Sequence, residues 1–395
     1  MGTINSLYLL ALILTTCIPF HGSASPRQFV HPGIGTDLAQ LKAVKDHLQQ
    51  EPWASAYREA VKDPRAALEY RPSPRALVEC GPYSKPDHGC KDELRDAQAA
   101  YTQAILWRLS GNPKYVQNAG LILDSWAKTL RGGHTNKNAP LQASWAAGLF
   151  ARSAELISDG TGGWSGQQKK QFGKFLVEQY LPSVQSVISG RNSCYNGNWH
   201  ASAIEAMTNI AVLNDDGELF EKALSAWRSF LPAYIYLSSD GASPRPLPWC
   251  QNGRPSIARW HGPKMLADGL TQESCRDFEH TAYGLAAVIN VAATARIQGL
   301  NIYQDESALA ERRITKAMEL HSSYQNRTAG LRQLCEKYTG IRGGTKGTFE
   351  LGFSLYGTKK DRKLMQTESF LRSNRPSRGN FHYIWETLTT SPQRP

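Results

Sequence analysis

Residues 96–115 read DAQAAYTQAILWRLSGNPKY. Ala97, Ala100, Tyr101, Ala104 and Ile105 recur at the 3.6-residue spacing of one helical face, and Gly111-Asn112-Pro113 is a stop signal. Val116, Ala119, Ile122, Leu123 and Trp126 then line a second helix, and so short a connection forces the two to lie antiparallel. The same unit returns along the chain. Trp145, Leu149 and Phe150 begin a third helix, and Phe172, Leu176 and Tyr180 mark a fourth that Pro182 closes. Ile204, Met207 and Ala211 pair with Phe220, Leu224 and Trp227 across NDDGE, and residues 283–298 and 307–324 make a last pair. A solenoid would show a fixed repeat period, and none is present. The pattern predicts an all-α fold, an α/α toroid or incomplete α/α barrel built from antiparallel hairpins. Strand signals are sparse: AYIYLSSDG from Ala233 and KGTFELGFSLYG from Lys346 read as short extended segments. No linker or low-complexity stretch divides the chain, so residues 25–395 are expected to form one domain.

The chain has 395 residues, 41% hydrophobic and 20% charged, enough to bury a large core. Residues 8–20, YLLALILTTCIPF, form an apolar run too short for a membrane span, which needs about 20 such residues. Gly22, Ser23 and Ala24 follow, so residues 1–24 read as a secretory signal peptide and the protein as extracellular, with no stable membrane association. Without Cys17, six cysteines remain, as expected of disulfides in an oxidising compartment. Cys80 and Cys90 bracket a Pro/Gly-rich segment and read as a local staple. Cys194, Cys250, Cys275 and Cys335 leave three pairings open. No CxxC or HxxxH spacing suggests zinc, and no metal or cofactor is expected. Asn326-Arg327-Thr328 is a glycosylation acceptor sequence.

The net charge of +11 points to an acidic partner. Part of it is concentrated in SPRPLPWCQNGRPSIARWHGPKMLA, residues 243–267, which contains no acid. Arg245, Arg254, Arg259, Lys264 and His261 are interleaved there with Trp249 and Trp260. Guanidinium forks match carboxylates, and flat indoles stack on sugar rings. No nucleic-acid module is recognisable, so an acidic polysaccharide is the expected partner, bound by a monomer.

Two further stretches carry candidate chemistry. NGNWHASAIEAM, residues 196–207, crowds Asn198, Trp199 and His200 at the start of a helix. QESCRDFEHTAYGL, residues 272–285, spaces Arg276, His280 and Tyr283 by four and three, one face if helical. Eliminating across C4–C5 of a uronate requires donors that neutralise its carboxylate, a base for the C5 proton and an acid for the departing O4. Asn, Arg and His suit the first task, and Tyr or His the others. A free Tyr titrates near about 10, so Arg276 and the basic loop are expected to lower Tyr283. Each residue also has an ordinary role: Asn198 as a helix cap, Trp199 in packing, Arg276 in an ion pair with Asp277, Tyr283 in the core.

At these residues the sequence resembles the alginate lyase superfamily. The blocks PYSKPDHG, TNKNAPLQASWAA, NGNWHASAIEAMTNIAVLNDD, QESCRDFEHTAYGLAAVINVAATARIQGLNIY and KGTFELGF are similar to that family's successive blocks, from about Tyr83 to the terminal IWETLT. The resemblance implies metal-independent lyase chemistry on mannuronate, guluronate or glucuronate polymers. It implies that Asn198, His200 and Arg276 neutralise the uronate, and that Tyr283 moves the proton. In the family Asn and His adjoin, whereas Trp199 intervenes here, so His261 or His280 is the alternative imidazole. Asn138, Gln142, Trp145, Trp199, Arg254, Arg259, Trp260 and His261 are expected substrate contacts. Relatives carry an aromatic-Asn-His-Tyr run after GTFE, where this chain has Phe353-Ser354-Leu355-Tyr356. Glucuronan lyases resemble it as closely as alginate lyases do, which favours a glucuronate polymer. The rival expectations are a glycoside hydrolase using two of Asp240, Glu273, Asp277 and Glu279, and a non-catalytic polysaccharide-binding protein. An unsaturated, ultraviolet-absorbing product end separates a lyase from both.

Overall fold

After two short helices, α1 (Leu38–Asp46) and α2 (Trp53–Lys62), the chain forms β1 (Val78–Cys80) and β2 (Asp87–His88). The hairpins that follow are α3 (Cys90–Ser110) with α4 (Pro113–Thr129), then, after β3 (His134–Thr135), α5 (Ala139–Ile157) with α6 (Gly166–Gln179). Next come α7 (Leu181–Ser186), α8 (Gly197–Leu213), α9 (Gly217–Tyr234), α10 (Phe278–Ile297) and α11 (Ala310–Gln325). The short α12 (Leu331–Leu334), α13 (Glu350–Tyr356) and α14 (Met365–Asn374) complete the chain. This computed structural model describes residues 27–189, 193–325, 331–336, 344–357, 364–376 and 379–390.

Two rows of helices result. α3, α5, α8 and α10 pack side by side in that order, while α4 and α6 back α3 and α5, and α9 backs α8. Sequence decides which row is inside. The outer α9 is amphipathic and turns Leu219, Phe220, Leu224, Trp227 and Leu231 inward. Of the inner helices, α5, α8 and α10 are buried almost all round and rich in small residues, such as Ala143, Ala146, Ala147, Gly148 and Ala151 on α5, which let backbones approach. The expected α/α toroid is the observed fold. The helix stops read from sequence also hold, with α3 ending at Gly111 in the left-handed region at φ 74°.

One end of this barrel is closed. Residues 27–36 cross the C-terminal ends of the inner helices, where Arg27 pairs with Glu221, the Gly33 amide donates to Glu155 and the Gly35 amide to Thr294. At the opposite end, β1 pairs antiparallel with β2 and parallel with β3. Disulfides join Cys80 to Cys90, as expected, and settle the open pairings as Cys194–Cys250 and Cys275–Cys335.

Two strand expectations are overturned. Residues 346–357 form a 3₁₀ turn followed by α13. Phe349, Leu351, Phe353 and Leu355 alternate as in a strand, but Gly352 and Tyr356 are buried too, so the segment has no polar face. From Ala233 the chain completes α9 and then makes only an isolated bridge, Ile235 to Thr271. The expected signal peptide and the Asn326 acceptor sequence lie outside the described residues. Among the described residues no helix is long and apolar enough to cross a membrane.

Candidate active site

Exceptions to burial on the inner helices mark the site. Every residue of α8 is buried except Trp199, and every residue of α5 except Pro140 and Trp145. On the first turn of α10, Glu279 and His280 are partly exposed. Trp145, Trp199 and His280 all face one cleft of about 440 Å³, lined also by Tyr83, Lys137, Asn138, Asn196 and Arg276. Three helix N-termini, those of α5, α8 and α10, meet there, and each presents the positive end of its peptide dipoles. Arg276 and Lys137 add full charges. The cleft thus combines positive charge with two flat indole rings. Its lip is the turn Pro82–Ser84 inside the Cys80–Cys90 loop, where Tyr83 sits 94% exposed at φ 53°.

Arg276 precedes α10 rather than lying on it, because Asp277 is the N-cap. The Asp277 carboxylate accepts the His280 backbone N–H at 2.8 Å and holds Nδ1 of the same imidazole at 2.8 Å. Burial opposes ionisation of Asp277, but the His280 contacts and the Arg276 charge outweigh it and keep the carboxyl below its ordinary range. With Nδ1 committed as donor, Nε2 carries the lone pair and is the atom of His280 available to a substrate. Arg276 donates from Nη1 to Glu273 at 2.9 Å.

Tyr283 lies one turn further along α10, its ring 6.0 Å from that of His280 and 5.9 Å from Trp145. Its hydroxyl donates to Glu279 at 2.8 Å. The expected lowering of its pKa is not found. Burial, then the neighbouring Tyr383 and Glu279, push the phenol well above its ordinary value, and an Asn380 contact only partly opposes them.

The corner at residues 196–200 reaches the cleft through Asn196 and Trp199 only. Asn198 is wholly buried and donates from Nδ2 to Glu273 at 2.5 Å. His200 is wholly buried as well, stacked between Trp249 and Phe230, with Nε2 3.0 Å from the Ser193 carbonyl. Burial lowers its pKa to about 4. Neither Asn198 nor His200 is brought to the cleft. Gln142 also turns inward, donating to Glu93 and the Cys90 carbonyl. In the basic loop Trp260 is 1% exposed, packed with Tyr236 and Phe278, so it offers no face to a sugar. Arg259 donates to the Tyr195 carbonyl and, with Arg254, lines a separate small cavity of about 20 Å³ within the basic loop. His261 is exposed, within electrostatic reach of Arg276, Asp277 and His280.

One segment that packs behind the cleft was not read from the sequence. Phe353 and Tyr356 are buried in α13. Residues 380–383 back the cleft instead, where Phe381 stacks on the lining residue Trp145 with centroids 4.3 Å apart and planes 7° apart. Tyr383 packs against Tyr283. His382 anchors the segment from below, with Nδ1 2.5 Å from Glu205 and Nε2 2.9 Å from Ser202. Its sequence signal is GNFHY, residues 379–383, an Asn beside an aromatic-His-Tyr run.

The carboxylates here do not form a hydrolase pair. Asp240 is held by Arg313 and Arg245, Glu273 is wholly buried beneath Arg276, Asp277 is bound to His280 and Glu279 accepts from Tyr283, so no two of the four are placed to flank a sugar. Among the described residues no group of three or more His, Cys, Asp or Glu side chains is placed to hold a metal ion.

No curated protein matches the chain. Solved structures do. A histidine-to-alanine variant of alginate lyase A1-III complexed with a tetrasaccharide is 17% identical, with a TM-score of 0.61 over 94% of this chain and 100% of that one. The structure of alginate lyase A1-III from Sphingomonas species A1 gives 17% identity and 0.55 over 85% and 93%. An alginate lyase from Bacteroides ovatus gives 14% identity and 0.61 over 91% and 99%. At these identities the likeness establishes the fold. The alginate lyase family model matches residues 45–329, and the chain therefore belongs to the alginate lyase family, polysaccharide lyases acting on uronates.

Proposed function

We propose that the protein is a secreted lyase that breaks a uronic acid polymer by β-elimination in this cleft, with a glucuronate polymer preferred. The reading is carried by one observation: Arg276 and the Asp277-held His280 open into the same cleft. Arg276 pairs with the substrate carboxylate and stabilises the enolate that develops from it. His280 Nε2 removes the C5 proton, the C4–C5 double bond forms, and the C4–O4 bond breaks. Tyr283, kept unionised by burial, gives its proton to the departing O4, and return of the proton from His280 to the tyrosinate resets the site. Asn198 supports this centre from behind, through Glu273. Trp145 and Trp199 supply indole faces for the flanking sugars. Glucuronate, with equatorial hydroxyls, leaves C–H groups on both ring faces for such contacts, whereas mannuronate carries an axial O2 on one. Secretion is supported by the apolar run at residues 8–20 and by three disulfides. The test is incubation with glucuronan, polymannuronate and polyguluronate while the absorbance of the new double bond is followed. Faster growth on glucuronan is expected. Chain shortening without that absorbance, or no cleavage of any of the three, overturns the proposal.

A further inference from the structure

The start of α8 has an unusual cap. Its N-cap Asn196 makes no side-chain cap hydrogen bond, yet the first turn is buried. Backbone N–H groups at a buried helix start need acceptors. Two consecutive residues of the segment before α10 provide them: Gln272 Oε1 accepts from Gly197 at 2.5 Å and Glu273 Oε2 from Asn198 at 2.8 Å. The other oxygen of Glu273 accepts from Asn198 Nδ2 at 2.5 Å and from Arg276 Nη1 at 2.9 Å.

From this arrangement we infer that Glu273 is a positioning residue of the lyase site, closing the first turn of α8 from another segment and fixing the plane in which Arg276 meets the substrate carboxylate. The inference rests on the lyase reading above. Glu273 is wholly buried, and a buried carboxylate is tolerated only when donors and charge surround it. Burial raises its pKa, while Arg276, His280 and the Asn198 donors pull it back. Its negative charge also stands against the positive end of the α8 dipoles. Both faces of the junction thus meet at one side chain, with Gln272 assisting at α8 and Asp277 Oδ2 standing 3.9 Å from Arg276 Nε. Arg276 is held on the side away from the cleft, so its orientation is set before substrate arrives. Such preorganisation matters most as charge moves onto the carboxylate in the transition state. Loss of Glu273 should therefore lower kcat more than it raises KM.

The experiment is a double-mutant cycle on the full chain, Glu273→Gln and Arg276→Lys singly and together, using whichever polymer the wild type cleaves. Nitrogen-15 spectra of the arginine side chains report the Arg276 guanidinium independently, assigned by its disappearance in Arg276→Lys. Glu273→Gln is expected to lower kcat by about ten- to a hundredfold with KM within about threefold, and to cost less than about threefold once Arg276 is Lys. Its Arg276 signal should show freer guanidinium rotation, and Glu273→Asp, which keeps the charge, should recover part of kcat. Equal losses in both backgrounds, or an Arg276 signal unchanged by Glu273→Gln, overturn the inference. Should Glu273→Gln fail to fold, the same spectra on Glu273→Asp decide it, an unshifted Arg276 signal being the contrary result. If the wild type cleaves no uronate polymer, the lyase reading falls, and the spectra still decide whether Glu273 holds Arg276.

Discussion

The carboxylate of Asp277 makes two different contacts with one residue, accepting the backbone N–H of His280 and standing 2.8 Å from its Nδ1 through either oxygen. Starting the helix and setting the imidazole tautomer are therefore the same event. Asp277→Asn separates them. Asn remains a good cap, so the fold should persist, with the melting temperature lowered only by the loss of the Asp277 charge. The amide lacks the charge that stabilises a protonated His280 and can present its N–H₂, which favours the wrong tautomer. Turnover should fall by about a hundredfold or more, read as the rate of double-bond absorbance. A variant with full turnover removes His280 as base.

The pH dependence of this pair has a defined sign. Asp277 is held below its ordinary value of 3.8 in the folded chain. Its contribution to stability is complete above the unfolded value and lost as pH falls through the lower, folded one. Protonation of Asp277 therefore costs neither stability nor activity above pH about 4, and Asp277→Asn should leave the profile above that pH unchanged in shape.

Tyr283→Phe tests the acid. The phenyl ring keeps its contacts with Trp145, Phe381 and Tyr383, so the wall should stand and polymer affinity stay within about threefold, while turnover drops by about a hundredfold or more. Because the phenol is pushed up rather than down, the wild type should show no loss of activity from tyrosine ionisation below pH about 10. Calorimetric titration with a polymer set beside initial rates separates the two effects.

The helical hairpins were legible because their signal is local. Each outer helix has an apolar face at 3.6 spacing, and stops such as Gly111 act on their own backbone. Arg276 and His280, which reach one cleft, were legible for the same reason, lying within five residues of one another, whereas Tyr283 is 6% exposed and does not line that cleft. What failed was direction. Asn198, Trp199 and His200 are adjacent in sequence, but a helix start turns them to different sides, and only the packing of α8 against α10 selects Trp199 for the cleft. Arg259 and Trp260 were misplaced similarly, since composition reports that a loop is basic but not which surface it covers. The strand-like alternation at residues 349–355 misled because a fully buried helix has no polar stripe. Residues 380–383 reach the site from far along the chain, and nothing local announces that.

Histidines should make stability depend on pH in two opposed ways. His200 and His321 are wholly buried, and burial lowers each from 6.5 to about 4. The unfolded chain takes up protons that these two refuse, so stability should decline as pH falls from about 6.5 towards 4. His31 is raised by its hydrogen bond with Glu155 against the opposing effect of burial, with Asp215 assisting. Its contribution is complete below 6.5 and lost as pH rises through the folded value. Melting temperatures of His200→Gln and His31→Gln across pH 4 to 8 should show the first losing less than wild type at the acid end, relative to its own neutral value. The second should flatten the alkaline side. The opposite assignment would contradict the burial of His200 or the pairing of His31.

The Cys194–Cys250 bridge links the stretch before α8 to the basic loop across 56 residues. Next to it, the Tyr195 ring stacks on Trp199 with centroids 4.7 Å apart and planes 6° apart, while the Tyr195 carbonyl accepts from Arg259. The bridge therefore supports one of the two indole faces of the cleft from outside it. Replacing both cysteines by serine should lower stability by about 2–4 kcal/mol, the usual range for closing a loop of this size. The functional effect should fall on binding, because Arg276, His280 and Tyr283 are carried by α10 and its preceding turn, which Cys275–Cys335 still secures. KM is expected to rise several-fold while kcat changes by less than about threefold. The reverse split, kcat falling with KM unchanged, would place Trp199 in the chemical step and not in holding the flanking sugar.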